Sequence, residues 1–369
     1  MELAQLILHN FLAFVAIISV IVFIHEFGHF IVARWCGVKV EEFSLGFGHE
    51  LFARTDKKGT RWKVCLLPFG GYVKMFGDRN GASMPDDKLF KKMTAADKKK
   101  SFLGKNVWQR MAIVAAGPIA NFLLAIVIFT FLLKANGLSK VAPIVDSVLP
   151  ASAALEAGLQ KGDKILAINA EEISEFDEMR AIVTSSADRE LLFKIERGAE
   201  VFETKITPKN QLRKDFFGDD VKMGTLGVTA SQVTNEHLNL GQSFVEANVQ
   251  TYKTSVAIFI ALGELITGRR SIEELGGPIK IAKYSGKTVE MGMQTVAWFV
   301  AMISINLGVM NLLPVPVLDG GHLFFYAIEA VRKKPLPQKA QQFCFQVGFS
   351  LILALMIFTT LNDVWQLFR

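Results

Sequence analysis

The run from Leu6 to Val32 is apolar for longer than the roughly 20 residues a bilayer-spanning helix needs, yet it contains IHEFGHF at residues 24–30. Ionisable groups at membrane depth are costly and need a compensating partner. On an α-helix, residues four apart share a face. His25 and His29 therefore offer two imidazoles to one cation, with Glu26 beside them. HExxH is the spacing of a zinc site whose glutamate takes a proton from an activated water. Zinc brings the pKa of such a water to about 7. The competing reading has two neutral histidines packed against neighbouring helices and Glu26 paired to a lysine.

Three further apolar runs follow, at about Trp108–Leu133, Val296–Leu313 and Phe343–Leu361. Each is close to the length of a span. The chain is 51% hydrophobic with mean hydropathy +0.32, too apolar for an ordinary soluble enzyme. The expected fold is a polytopic α-helical membrane protein of about four transmembrane helices. The first run lacks a basic start and a small-residue cleavage site, so it reads as a retained span rather than a cleaved leader. Cys36, Cys65 and Cys344 form no CxxC pair and read as free thiols.

Charge gives the orientation. Between Cys36 and Asn106 there are 15 Lys/Arg against 8 Asp/Glu, and RKKPLPQK in Val331–Ala340 is basic too. Basic loops beside spans mark the cytoplasmic side. Both chain ends and the segment 137–290 then fall outside the cytoplasm. Trp35, Trp108, Trp298 and Trp365 lie near expected span ends, as interfacial anchors do. No nucleic-acid-binding motif accompanies the positive charge, so nucleic acid is not an expected partner.

The expected organisation is a first helix over 1–36 and a basic loop over 37–106. A β-hairpin over 60–78 is split by Pro68, Gly70 and Gly71. A second span covers 107–136. Residues 137–210 form a small α+β domain, followed by a region over 211–292 in which 246–268 reads as an interfacial amphipathic helix. A third span covers 293–322, a cytoplasmic loop 323–340 and a fourth span 341–364. Within 137–210, β-branched runs broken by Gly, Asp and Pro read as strands. PASAALEAGLQKGDKILAINAEEI at 150–173 resembles a PDZ domain, which takes up an extended segment at a sheet edge.

A catalytic zinc usually has three protein ligands. NLLPVPVLDGGH at 311–322 supplies a candidate in Asp319, within a stretch broken by Pro314, Pro316, Gly320 and Gly321. Broken backbone at membrane depth occurs only where protein or a water-filled cavity surrounds it. LDGG would also suit a helix cap or turn. Glu26 precedes Arg34 by eight residues, about 12 Å of helix. That puts the motif inside the membrane toward the cytoplasmic face, the level that Asp319 should reach from the other side.

HEFGH, GPIAN at 117–121 and NLLPVPVLDGG together resemble the site-2 protease family of zinc intramembrane metalloproteases. SFLGKNVWQRMAIVAAGPIANFLLA (101–125) and GGPIKIAKYSG (276–286) match its bacterial branch of regulator-of-sigma-E-type proteases. The resemblance covers nearly the whole chain. It implies one Zn²⁺ per chain on His25, His29 and Asp319, with Glu26 as general base. It implies that Asn311, Pro314 and Pro316 lie beside the substrate, Asn311 bonding substrate backbone or the oxyanion. It implies that Gly70 and Gly71 belong to a membrane-associated β element that binds substrate. His322 is expected near the site but not on the metal.

The implied location is the bacterial inner membrane, with the PDZ domain periplasmic or otherwise extracytoplasmic and the active site near the cytoplasmic side. The implied partners are the lipid bilayer and single-span substrates such as anti-sigma factors and signal-peptide remnants. The best-known relatives carry two PDZ domains, whereas residues 138–245 have room for one. A membrane adaptor with an inactive zinc site would not need Glu26. A metal transporter would show more intramembrane carboxylates and histidines than Glu26 and Asp319.

Overall fold

The computed structural model describes residues 2–78, 90, 92–214, 220–231, 233–268 and 276–367. The chain forms two compact units, Met1–Phe131 with Phe244–Arg369, and Leu132–Ser243.

In the first unit, four helices are long and apolar enough to cross a bilayer: α1 (Glu2–Trp35), α3 (Val107–Asn136), α8 (Met293–Leu312) and α10 (Gln338–Leu367). Large apolar side chains such as Leu8, Leu123, Phe131 and Leu351 are exposed along them. An aqueous surface rarely carries so much contiguous apolar area, whereas a bilayer accepts it. Trp35, Trp108 and Trp365 are exposed at helix ends.

Small residues set the packing. A Cβ on Gly28 would overlap the Ala116 carbonyl, so α1 and α3 meet backbone to backbone there. Gly308 of α8 lies against the Phe122 ring of α3. Other helices of this unit among the described residues are the short α2 (Ala95–Lys100), α7 (Pro278–Glu290), which starts with a proline in its first turn, and α9 (Asp319–Arg332). Asp363 of α10 accepts hydrogen bonds from the backbone N–H groups of Gly277 (2.8 Å) and Lys280 (2.9 Å). It therefore caps α7 from a different helix.

The β element differs from a hairpin over 60–78. Strands β1 (Val40–Thr55) and β2 (Arg61–Met75) pair, and each bends back on itself. Glu42–Leu45 face Gly71–Lys74 on one edge and Arg61–Val64 on the other. Phe52–Thr55 then face Arg61–Val64 from the far side. The tight turn is at residues 56–60. Pro68 and Gly70 mark a bend, because Pro68 cannot donate to a ladder and Gly70 has φ of +93°. The outer edge of Gly71–Lys74 has no strand partner among the described residues.

Phe30, Phe43 and Trp62 hold this sheet to α1, with ring centroids 4.4–5.7 Å apart. Arg34 Nη2 donates to Asp56 Oδ2 (2.7 Å) and Thr60 Oγ1 (2.8 Å), fixing the turn to the end of α1. Burial alone would raise the Asp56 carboxyl. Hydrogen bonds from the Thr60 N–H, Trp62, Arg34 and the Lys58 N–H outweigh it and hold the group at about 2.

The second unit has its own core. A four-stranded antiparallel sheet runs in the order β6 (Glu171–Glu172), β5 (Lys164–Ile168), β7 (Leu191–Arg197), β8 (Glu200–Ile206). Buried and exposed residues alternate along β7, and its inward Leu191, Phe193 and Ile195 pack against Met179 and Val183 of α5 (Phe176–Ser185). A further strand pair follows, β9 (Lys209–Lys214) with β10 (Asp220–Thr225). β11 (Val228–Thr229) and β12 (Val233–Glu236) return to β4 (Ser147–Val148) and β3 (Leu138–Val141). The helix after it, α6, spans Leu240–Ile266.

Two boundaries of the sequence reading shift. The segment 293–322 is two helices, because Pro314 and Pro316 cannot continue α8. The start of 323–340 lies inside α9 rather than in a loop, and its Phe, Tyr and Ile positions have helical spacing.

Candidate metal centre

His25 and His29 lie on one face of α1, as their spacing requires, and are buried. Asp319 arrives from the first turn of α9. Its Oδ2 lies 3.1 Å from His25 Nε2 and 3.5 Å from His29 Nε2, and the two Nε2 atoms are 3.3 Å apart. Four ligands at zinc bond lengths near 2.0 Å define a tetrahedron with edges of about 3.3 Å. The triangle in the structure has the edges of one face of that tetrahedron.

Donor chemistry agrees with the geometry. His29 Nδ1 is 2.9 Å from the Ile113 carbonyl, which only accepts. That nitrogen therefore carries the proton, and Nε2 presents a lone pair. Asp319 Oδ2 is buried without a hydrogen-bond donor. Electron-rich atoms converging this closely call for a cation between them. The residues fit a divalent metal.

Local sequence explains why the groups meet. A Cβ on Gly117 would overlap His29 Nε2, so the glycine of GPIAN makes room for the imidazoles. Gly320 and Gly321 let the first turn of α9 fold onto the 312–316 backbone, where any Cβ would collide. Arg110 of α3 and Glu329 of α9 form a buried ion pair, and the Arg110 guanidinium sits 4.8 Å from the centroid of Tyr326. That pair locks the Asp319 helix to the scaffold. Val317 has φ of +88°, rare for a β-branched residue, and directs the chain into Leu318–Asp319.

A cavity of about 300 Å³ opens beside the triangle. His25, Glu26, His29 and Asp319 line it, together with Gly70, Gly71, Tyr72 and Asn311. A Cβ on Gly71 would be 3.0 Å from Glu26 Cγ and 2.8 Å from the Ser44 carbonyl, so the free sheet edge runs close to the glutamate. Pro314 and Pro316 do not line the cavity. Pro316 sits against Gly348 of α10.

His322 stands beside the site, as expected, and two residues given no role in the sequence reading, Tyr72 and Asn121, join it. His322 lines the cavity, with its ring centroid 5.1 Å from that of Phe345. Tyr72 lines it from β2, and its hydroxyl donates to Glu42 (3.0 Å). Asn121 is fully buried, with its side-chain Nδ2 3.1 Å from His25 Nδ1. An amide inside an apolar span was the signal that could have found it.

The model of peptidase family M50 matches residues 13–355. A protein of Agrobacterium fabrum named as a zinc metalloprotease is 40% identical over 96% of this chain and 95% of its own length. Another so named, from Rickettsia conorii, is 40% identical over 97% of this chain and 99% of its own. Metalloprotease MmpA of Caulobacter vibrioides is 35% identical over 94% and 93%. A family match across nearly the whole chain, with relatives 35–40% identical along almost their full length, assigns this protein to peptidase family M50, and it is a metalloprotease.

Proposed function

We propose that the protein is an intramembrane zinc endopeptidase that cuts single-span membrane proteins within or beside their spans. One zinc per chain is held by His25, His29 and Asp319. The carrying observation is the close triangle of these three groups on helices long and apolar enough to cross a membrane. The relatives named as zinc metalloproteases support the choice of metal.

Bound there, zinc supplies Lewis acidity toward the scissile carbonyl and toward water. The Glu26 carboxylate takes the proton of the attacking water and delivers it to the leaving amide nitrogen. The free edge at Gly70 and Gly71 receives substrate as an added strand, which keeps unwound backbone extended and its carbonyls accessible. Asn311, in the cavity wall, bonds substrate backbone or the developing oxyanion. Pro314 and Pro316 act by fixing the turn that delivers Asp319.

In this reading the protein resides in the bacterial inner membrane, with the metal nearer the cytoplasmic face. Residues 137–210 form an extracytoplasmic PDZ domain, closed by the strands of 211–236, that screens substrates. Supporting features are the sheet-and-helix build of that unit and the basic composition of 36–106. Anti-sigma-factor-like proteins and signal-peptide remnants are the substrate classes.

The test is cleavage of a tagged single-span substrate panel in liposomes by wild type and Glu26→Gln, with zinc measured on both. Cleavage by wild type alone with equal zinc is expected. Equal cleavage by both proteins would contradict the role of Glu26.

A further inference from the structure

Asn121 is fully buried in the middle of an apolar helix, where an unpaired amide is expensive. Its backbone carbonyl accepts the Ser304 hydroxyl of α8 at 2.9 Å, so its place between helices is fixed. Its Nδ2 lies 3.1 Å from His25 Nδ1 on the ring edge away from Asp319, and its Oδ1 is buried without a hydrogen-bond partner.

The ligand geometry decides which way this amide serves. His25 Nε2 belongs to the ligand triangle. A neutral imidazole that ligates through Nε2 carries its proton on Nδ1 and needs an acceptor there. His29 has such an acceptor in the Ile113 carbonyl. For His25 the neighbouring group is Asn121. The two ends of a carboxamide are nearly the same size, so a half-turn exchanges oxygen for nitrogen within the same space.

We infer that Asn121 is a positioning residue for the metal: its side-chain oxygen accepts the Nδ1 proton of His25 and so directs the Nε2 lone pair to the cation. This rests on the metal centre proposed above. An amide in this place accepts the proton without adding charge. The site then holds two carboxylates, Glu26 and Asp319, against a divalent cation. The asparagine of GPIAN acquires a physical role, and so does its glycine one helical turn earlier.

The test measures zinc affinity by chelator competition on the full-length protein in detergent, for wild type, Asn121→Leu and Asn121→Asp. Circular dichroism of the metal-free forms serves as the folding control. Leucine keeps the volume and removes the acceptor; aspartate keeps the acceptor. Loss of an outer partner to a metal-bound histidine typically weakens affinity about 10- to 100-fold. The expected result is a loss of that size for Asn121→Leu, with Asn121→Asp retaining affinity within about threefold, well short of that loss. Wild-type affinity in Asn121→Leu overturns the inference. Equal losses in both variants overturn it as well, since they assign Asn121 to packing alone. Absence of tight zinc binding in wild type overturns the metal centre itself.

Discussion

Gly117 of α3 lies so close to His29 of α1 that a methyl group in its place would overlap the imidazole Nε2. The same methyl would stand 2.9 Å from His25 Cε1. Gly117→Ala should therefore displace the two imidazoles proposed to hold the metal rather than merely tighten a helix contact. Overpacking of this kind costs about 1–3 kcal/mol. The expected outcome is loss of most bound zinc with α-helical content kept, read by metal analysis beside circular dichroism.

The Arg110–Glu329 pair is the second anchor of the site. Both side chains are largely buried, at 11% and 18% exposure, so each depends on the other's charge. Removing one partner of such a pair costs about 3–5 kcal/mol, whereas replacing both with apolar groups is often neutral. Glu329→Gln should lower thermal stability sharply. Arg110→Met with Glu329→Leu should recover most of it, as a double-mutant thermal series would show.

Much of this arrangement was legible in the sequence, and the exceptions have physical causes. Polar groups in apolar runs are conspicuous because each needs a reason, so His25, Glu26, His29 and Asp319 stood out. Length and hydropathy alone delimited the four long helices. The β element was misdrawn because Gly70 and Pro68 mark a bend as readily as a turn. Only long-range pairing tells the two apart, and Glu42–Leu45 pair on both edges. The helix Pro278–Glu290 went unassigned because its cap, Asp363, comes from 86 residues further along the chain. Arg110–Glu329 was invisible for the same reason, its partners being 219 residues apart.

Asp363 should control that helix. An N-terminal cap contributes about 0.5–2 kcal/mol. Asp363→Ala leaves the N–H groups of Gly277 and Lys280 without their acceptor. Hydrogen exchange should accelerate at residues 278–284 and remain unchanged in α3.

The second unit carries a pH-sensitive pair. Asp163 has no exposed side-chain surface and takes two 2.7 Å bonds from Arg197 and one of 2.8 Å from the Gln160 N–H. Burial pushes its carboxyl up, but the guanidinium and the backbone bond outweigh it and hold the group below the usual carboxylate range. A folded value below the unfolded one stabilises above the unfolded pKa and is lost as pH falls through the folded value. Stability of this unit should decline from about pH 4 downward. Asp163→Asn should lower stability at pH 7 and flatten that acid limb, as urea melts at stepped pH would record.

The ligand triangle is the central claim, and X-ray absorption at the zinc edge tests it most directly. Purified full-length protein should hold one zinc per chain. Its inner shell should consist of nitrogen and oxygen at about 2.0–2.1 Å, with two imidazole signatures. Asp319→Ala should remove one oxygen from that shell and leave both imidazoles. A sulfur neighbour at about 2.3 Å, or a shell unchanged by Asp319→Ala, would contradict the assignment of His25, His29 and Asp319 as the metal ligands.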